Sequence, residues 1–222
     1  VNLNPDKVCN FDCVYCSVDR KVPSTVRTDD LAMLRRELEG MLALADDGAL
    51  FAEAAFDQTP AALRRINDVS FSGDGEPTSF ASFPEVCEIA AEMIDRHAPG
   101  RDIKIVVITN ATLLHRPAVA GALRFLDEHN GEIWAKLDAG TEAYYRYVER
   151  TSIPLKRVLE NIAEAGRRRP VVIQSLFMNI HGVPPSPEEI SAYVARLSEL
   201  SAGGCRIKLV QVYTVARGTA EA

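Results

Sequence analysis

No run of apolar residues in this 222-residue chain approaches the ~18 that a membrane-spanning helix requires, and no basic stretch followed by an apolar one opens it. A cytoplasmic enzyme is the default expectation. No segment is rich enough in Pro, Gly or Ser to act as a linker, and neither an internal repeat nor a low-complexity tract is visible. Cations are the minority charge, 25 Lys and Arg against 31 Asp and Glu, for a net charge of −6 and a pI near 5.3. Broad nucleic-acid binding needs clustered cations to displace counterions and is disfavoured, although a local basic groove stays open. Cysteine also falls short of a disulfide framework: five is an odd number, and three of them sit within residues 9–16. Reduced thiols holding a metal are the better reading. What is present, 47% apolar and 25% charged residues, is globular composition and excludes disorder and fibrous repeats.

Short β-branched runs alternate with longer amphipathic segments, the pattern of βα units around a parallel sheet. Six strands are expected, at residues 1–3, 68–72, 103–108, 133–137, 171–176 and 207–212. Helices are expected at 29–44, 83–97, 117–129, 141–149 with 155–168, and 187–200. Pro84 and Pro187 stand where a first helical turn tolerates proline, and Gly100, Gly131 and Gly203 follow helix ends. Residues 46–67 lack a clean period, are interrupted by Pro60, and read as a helical excursion outside the repeat. A single domain over residues 1–222 is expected. Because it starts at Val1 rather than Met and stops just after an apolar run, flanking sequence is expected to be missing at both ends.

The chemistry-bearing residues begin with Cys9, Cys13 and Cys16, on a loop between the first strand and the first long helix. A tetrahedral zinc site wants four protein ligands, and no fourth Cys or His lies nearby. In a 4Fe-4S cluster three thiolates leave one iron free for a ligand that is not protein, as a catalytic cluster requires. A zinc site, or a cluster completed by distant Cys87 or Cys205, is the alternative; buried packing is the expected role of those two. The second signal is the Phe71-Ser72-Gly73-Asp74-Gly75-Glu76-Pro77-Thr78 turn, whose two glycines let backbone approach a ligand closely. Polar residues at strand ends complete the set: Thr109 and Asn110, Lys136 and Asp138, Gln174 and Ser175, and Gln211. In a βα barrel that end carries the catalytic face.

The spacing Cys-x3-Cys-x2-Cys, with Tyr15 just before the last cysteine, resembles the radical S-adenosylmethionine enzymes. The Ser-Gly-x-Gly-Glu-Pro-Thr turn and the end of the chain, residues 210–217, are similar to the iron-sulfur oxidoreductase branch that includes wyosine-type tRNA-modifying enzymes. The resemblance covers residues 4–217 and implies an open (β/α)6 partial barrel of TIM type, with parallel strands and the site at their C-terminal ends. It implies a 4Fe-4S cluster on Cys9, Cys13 and Cys16, and S-adenosyl-L-methionine cleaved reductively to a 5′-deoxyadenosyl radical that takes hydrogen from a substrate. It also carries cofactor contacts onto Tyr15, Ser72, Gly73, Asp74, Gly75, Glu76, Asn110, Lys136, Asp138, Ser175 and Gln211. Of these, the glycine turn takes the methionine amino group, Lys136 and Asp138 the carboxylate and ribose, and Gln211 the adenine. A low-potential donor of flavodoxin or ferredoxin type is implied. The substrate, whether small molecule, peptide or RNA, is not indicated. Other readings are an activase that places a radical on a protein partner, and a non-catalytic iron-sulfur or zinc module.

Other conspicuous residues are discounted. Arg167-Arg168-Arg169 reads as a cationic helix C-terminus favourable to the macrodipole. His97, His115 and His129 are expected to be solvated, at helix ends or exposed turns away from the strand-end face, Tyr144, Tyr145 and Tyr147 in packing, and His181 near the mouth.

Overall fold

A computed structural model describes residues 1–24 and 30–220. Five parallel strands form one sheet in chain order: β1 (Asp68–Phe71), β2 (Lys104–Thr109), β3 (Gly131–Lys136), β4 (Val171–Leu176) and β5 (Ile207–Tyr213). Helices fill the connections: α1 (Leu31–Asp46), α2 (Phe83–His97), α3 (Pro117–Asp127), α4 (Glu142–Glu149), α5 (Leu155–Arg168) and α6 (Pro187–Ala202). Strand order equal to chain order means that every crossover returns beside the strand it left, which is how an open α/β barrel is wound. Among the described residues no helix is long and apolar enough to cross a membrane.

Among the described residues the count is five strands, not six. Val1 does pair with the edge of β1, its amino group donating to the Ser70 carbonyl and its own carbonyl accepting from Ser72 N. The pairing ends at once. Asn4 N turns onto the Asn2 side chain, Lys7 N closes a turn on the Asn4 carbonyl, and Pro5 has no N–H to offer a ladder. The segment at 46–67 holds two short 3-10 turns, Ala49–Ala52 and Ala61–Leu63, in place of an α-helix. Helix α2 occupies the expected range, and Pro84, Pro117 and Pro187 stand in first turns. Asp29, where the sequence pattern starts the first helix, lies outside the described residues; the helix begins after Asp30, whose side chain caps Met33 N.

The two faces of the sheet differ. Val69, Phe71, Ile105, Val107, Ile133, Ala135, Val171 and Ile173 are buried against α2, α3 and α5 in one apolar core, which also takes Cys87 and Cys205. The other face carries Lys104, Glu132, Trp134, Lys136, Gln174 and Gln211, tied to one another by polar contacts and only partly covered. A bulge between Val171 and Val172 shifts the β4 and β5 register and lets Lys208 reach Glu132 on that face, in the way bulges re-aim side chains.

Candidate active site

The cysteine loop lies over the C-terminal ends of β1, β2 and β3, held by hydrogen bonds along its length and by the burial of Phe11 in the core. On one flank, Glu76 N donates to the Val8 carbonyl, and Gly75 packs so close that an added Cβ would stand 2.1 Å from Val8 O. An added Cβ at Gly73, where φ is +143°, would meet the Asn2 side chain at 2.4 Å. Both glycines are therefore required by the chain's own N-terminal segment: the turn supports the loop. Asp74 bonds the Asn2 amide through its carboxylate.

In the middle, Asn10 exchanges bonds with Asn110 and Thr112, at 2.6 and 2.7 Å, and Thr151 caps the Asn10 carbonyl. The buried carboxylate of Glu76 accepts from Thr109 Oγ1, Asn110 N, Thr78 N and Thr78 Oγ1. Burial raises its pKa while those donors pull it back. Its oxygens are spent on tying the β1 turn to the end of β2, so its part in the site is to position.

On the other flank, Asp12 N and Val14 N donate to the carbonyls of Glu149 and Val148 at the end of α4, and Phe11 packs edge-on against Tyr145. Here side chains converge on the loop. The Tyr15 hydroxyl donates to Asp138 Oδ2 at 2.5 Å; Asp138 Oδ1 accepts from Leu176 N at 2.8 Å; the Lys136 ammonium stands 3.3 Å from Asp138 and 4.6 Å from the centre of the Tyr15 ring. Tyr213 at the end of β5 accepts from Lys136 Nζ at 3.0 Å, and Gln211 pairs with Gln174 beside it. Asp138 is fully buried, and although burial alone would discharge Lys136, the carboxylate holds it protonated.

Glu149 belongs to this cluster and sequence reasoning missed it. It is buried, accepts from the Cys13 thiol, and lies beside Asp138; burial, then that neighbouring carboxylate, raises its pKa well above the usual range. One signal was available: an acid in the last turn of a helix opposes the macrodipole and so calls for a specific reason. Ser175, in contrast, is not brought to the mouth. It sits on the helix-covered face, buried, bonded to the Leu137 carbonyl and Tyr193 hydroxyl.

The three cysteine thiols are free and partly buried. Burial raises the Cys9 pKa, and burial together with Glu149 raises that of Cys13 well above the ordinary thiol value. Cys87 is a different species: enclosed in the core, pushed up to about 12, it is inert packing. Cys205 is likewise buried, against Gly166. Among the described residues no three His, Cys, Asp or Glu side chains stand close enough to hold a single ion. The donor set is three sulfurs on one loop, and beside them the Nε of Arg20 is buried without a hydrogen-bond acceptor among the described residues. Both features fit an iron-sulfur cluster, whose ligands are thiolates spread around a larger body with acceptor sulfides of its own.

A model of the radical SAM superfamily matches residues 3–197, nearly the whole of the chain. The chain belongs to the radical SAM superfamily. Among curated proteins it is similar to UPF0026 protein MJ1312 of Methanocaldococcus jannaschii, 25% identical over 169 residues, which are 73% of this chain. It spans 43% of that relative's length. Among solved structures it is similar to TYW1 with a lysine-pyruvate adduct bound, at 15% identity and a TM-score of 0.56, covering 97% of this chain and 63% of that one. BtrN in complex with AdoMet and 2-DOIA follows at 18% identity and a TM-score of 0.45, covering 78% and 55%. The likeness to TYW1 supports the radical SAM fold, a partial barrel of parallel strands.

The discounted residues divide: Tyr145 is buried in packing while Tyr147 is half exposed, and of His97, His115 and His129, expected to be solvated, only His115 is exposed. Arg167 and Arg168 pair with Glu164 at the end of α5, and Arg169 turns to Asp127. His97 faces Glu39, His115 is exposed, and His129 stacks on Phe125. His181 has a positive φ in a tight turn beside a 580 Å³ groove that it lines with Tyr144 and Tyr147.

Proposed function

We propose that this chain is the catalytic core of a radical SAM enzyme, with Cys9, Cys13 and Cys16 as the protein ligands of a 4Fe-4S cluster and the Tyr15, Lys136 and Asp138 group as part of the S-adenosylmethionine site. The cluster, when bound and reduced, supplies the electron that splits the sulfonium into methionine and a 5′-deoxyadenosyl radical able to take hydrogen from a substrate. One observation carries the reading. Three free thiols sit on a loop that is pinned on both flanks and abuts a buried, charge-paired cluster at the C-terminal strand ends.

The chain's own part is to position, to exclude water and to manage protons. Thiols ligate as thiolates, so Cys13 gives up its proton on loading, and the Glu149 carboxylate it already touches is placed to receive it. Asp138 keeps Lys136 cationic, which suits that ammonium to a carboxylate. Gln211 and Gln174 present amide edges to a base from the partly covered face. Gly73, Asp74 and Gly75 offer backbone to an amino group, and Glu76 and Asn110 hold that backbone in place. Residues 1–222 would form one core domain with the short turns at 46–67 outside it, reduced by a flavodoxin-type or ferredoxin-type donor.

Anaerobic reconstitution followed by dithionite and S-adenosylmethionine is expected to release 5′-deoxyadenosine. A correctly loaded cluster that produces none would refute the reading.

A further inference from the structure

We propose that Arg20 is a positioning residue for the cluster: it locks the ends of the cysteine loop together and places a positive charge against the sulfur of Cys16. This rests on the reading of the loop as a 4Fe-4S site and assigns a role to a residue outside the cysteine motif.

Arg20 follows the last cysteine by four residues, yet its guanidinium joins three separate pieces of chain. Nη1 donates to the Lys7 carbonyl at 2.6 Å and to the Asp74 carbonyl at 3.0 Å, while Nη2 lies 3.6 Å from Cys16 Sγ. Nε, 4.0 Å from an Asp12 oxygen, is buried with no hydrogen-bond partner among the described residues. Lys7 answers in kind: its ammonium donates to the carbonyls of Asp19 at 2.8 Å and Val22 at 2.9 Å. Residue 7 therefore holds residues 19–22, and residue 20 holds residue 7. All three cysteines lie between. Lys7 has a φ of 65°, a left-handed backbone that a lysine adopts only when its surroundings impose it, and this two-way clamp imposes it.

The guanidinium reaches the two carbonyls through Nη1 and the sulfur through Nη2, two nitrogens held apart in one rigid plane, whereas a lysine would have to bring all three acceptors to a single nitrogen and is not an equivalent. The charge has its own consequence. One-electron reduction takes a 4Fe-4S core from 2+ to 1+ and makes the three-thiolate assembly one unit more negative. A guanidinium against one ligand sulfur favours the reduced form and raises the midpoint potential.

The test uses the full chain, reconstituted anaerobically, as wild type, Arg20→Lys and Arg20→Gln. Iron and sulfide content, the rate of iron loss to a chelator, and the midpoint from an EPR-monitored dithionite titration are read together with a thermal melt. Arg20→Gln should lose iron about 10- to 100-fold faster and show a lower midpoint. Arg20→Lys, which keeps the charge and loses the fork, should recover the midpoint but not the retention. If Arg20→Gln fails to fold, Arg20→Lys with wild-type iron retention overturns the clamp. Variants that match wild type in both readouts, or whose only change is melting temperature, overturn the proposal while leaving the cluster reading intact. A wild type that takes up no 4Fe-4S cluster removes the reading itself.

Discussion

Two acidic side chains six residues apart, at opposite ends of β3, meet opposite fates. Glu132, at the N-terminal end, lies between Lys208 at 2.5 Å and Lys104 at 2.9 Å and also accepts from Trp134 Nε1 at 3.0 Å. Burial works to raise its pKa, but those three donors win and hold the carboxyl near 2. Asp138, just past the C-terminal end, has among the described residues a single cation, Lys136, and a second acid, Glu149, beside it, whose pKa is driven well upward. The first arrangement sets two cations and an indole N–H against one carboxylate. The second sets two acids beside one described cation, the kind of imbalance found at binding and catalytic sites as well as in structural networks. The two ends of β3 thus differ in how many cations stand against their acids.

The sharpest way to break this contrast is at the cysteines. Cys13→Ala is expected to abolish retention of the cluster, about four irons per chain, while Cys87→Ala leaves the iron count unchanged. A requirement for Cys87 would move the site into the core and end the comparison. Next in size, Asp138→Asn removes the counter-charge of Lys136 and the acceptor of Tyr15, a loss of about 3 kcal/mol in a chemical melt, together with weaker S-adenosylmethionine binding by calorimetry. Gly75→Ala forces a methyl into the Val8 carbonyl and should cost about 1 to 3 kcal/mol while lowering iron retention, because the loop shifts with it.

At the other end, Glu132→Gln should cost about 1 to 2 kcal/mol and leave 5′-deoxyadenosine production unchanged well below the melting temperature. A loss of turnover there would show that the two ends are one site. The smallest effect is in acid. The folded pKa of Glu132 lies below the unfolded value of about 4.3, so its contribution is complete above about pH 4.3 and is lost as pH falls toward about 2. The stability difference between wild type and Glu132→Gln, followed by melts of the metal-free protein, should shrink over that interval and be flat above it. A gap that widens as pH falls would reverse the sign of the Glu132 shift.

Much of the architecture was legible because periodicity and punctuation are local. The strands at residues 68–71, 104–109, 131–136, 171–176 and 207–213 and the range of α2 agree with the reading from pattern. The miss at residues 1–3 has a local cause too: three apolar or neutral residues satisfy a strand pattern, but Asn2, Asn4 and Pro5 turn the chain away after one pair of bonds. Ser175 was misplaced by one step of alternation, since neighbours on a strand face opposite sides. Glu149 and Arg20 were overlooked because neither stands in a motif. Their significance comes from what lies across from them.

The sequence by itself determined the cysteine spacing, the glycine turn and the order of βα units, all set by residues close together in the chain, and these suffice for the superfamily. Only the tertiary structure decided which charges meet. Glu149 reaches Cys13 across 136 positions, Tyr15 reaches Asp138 across 123, and Lys208 reaches Glu132 across 76. Coulomb energies and pKa values depend on such separations in space and on the water excluded between the groups, neither of which is a property of neighbouring residues.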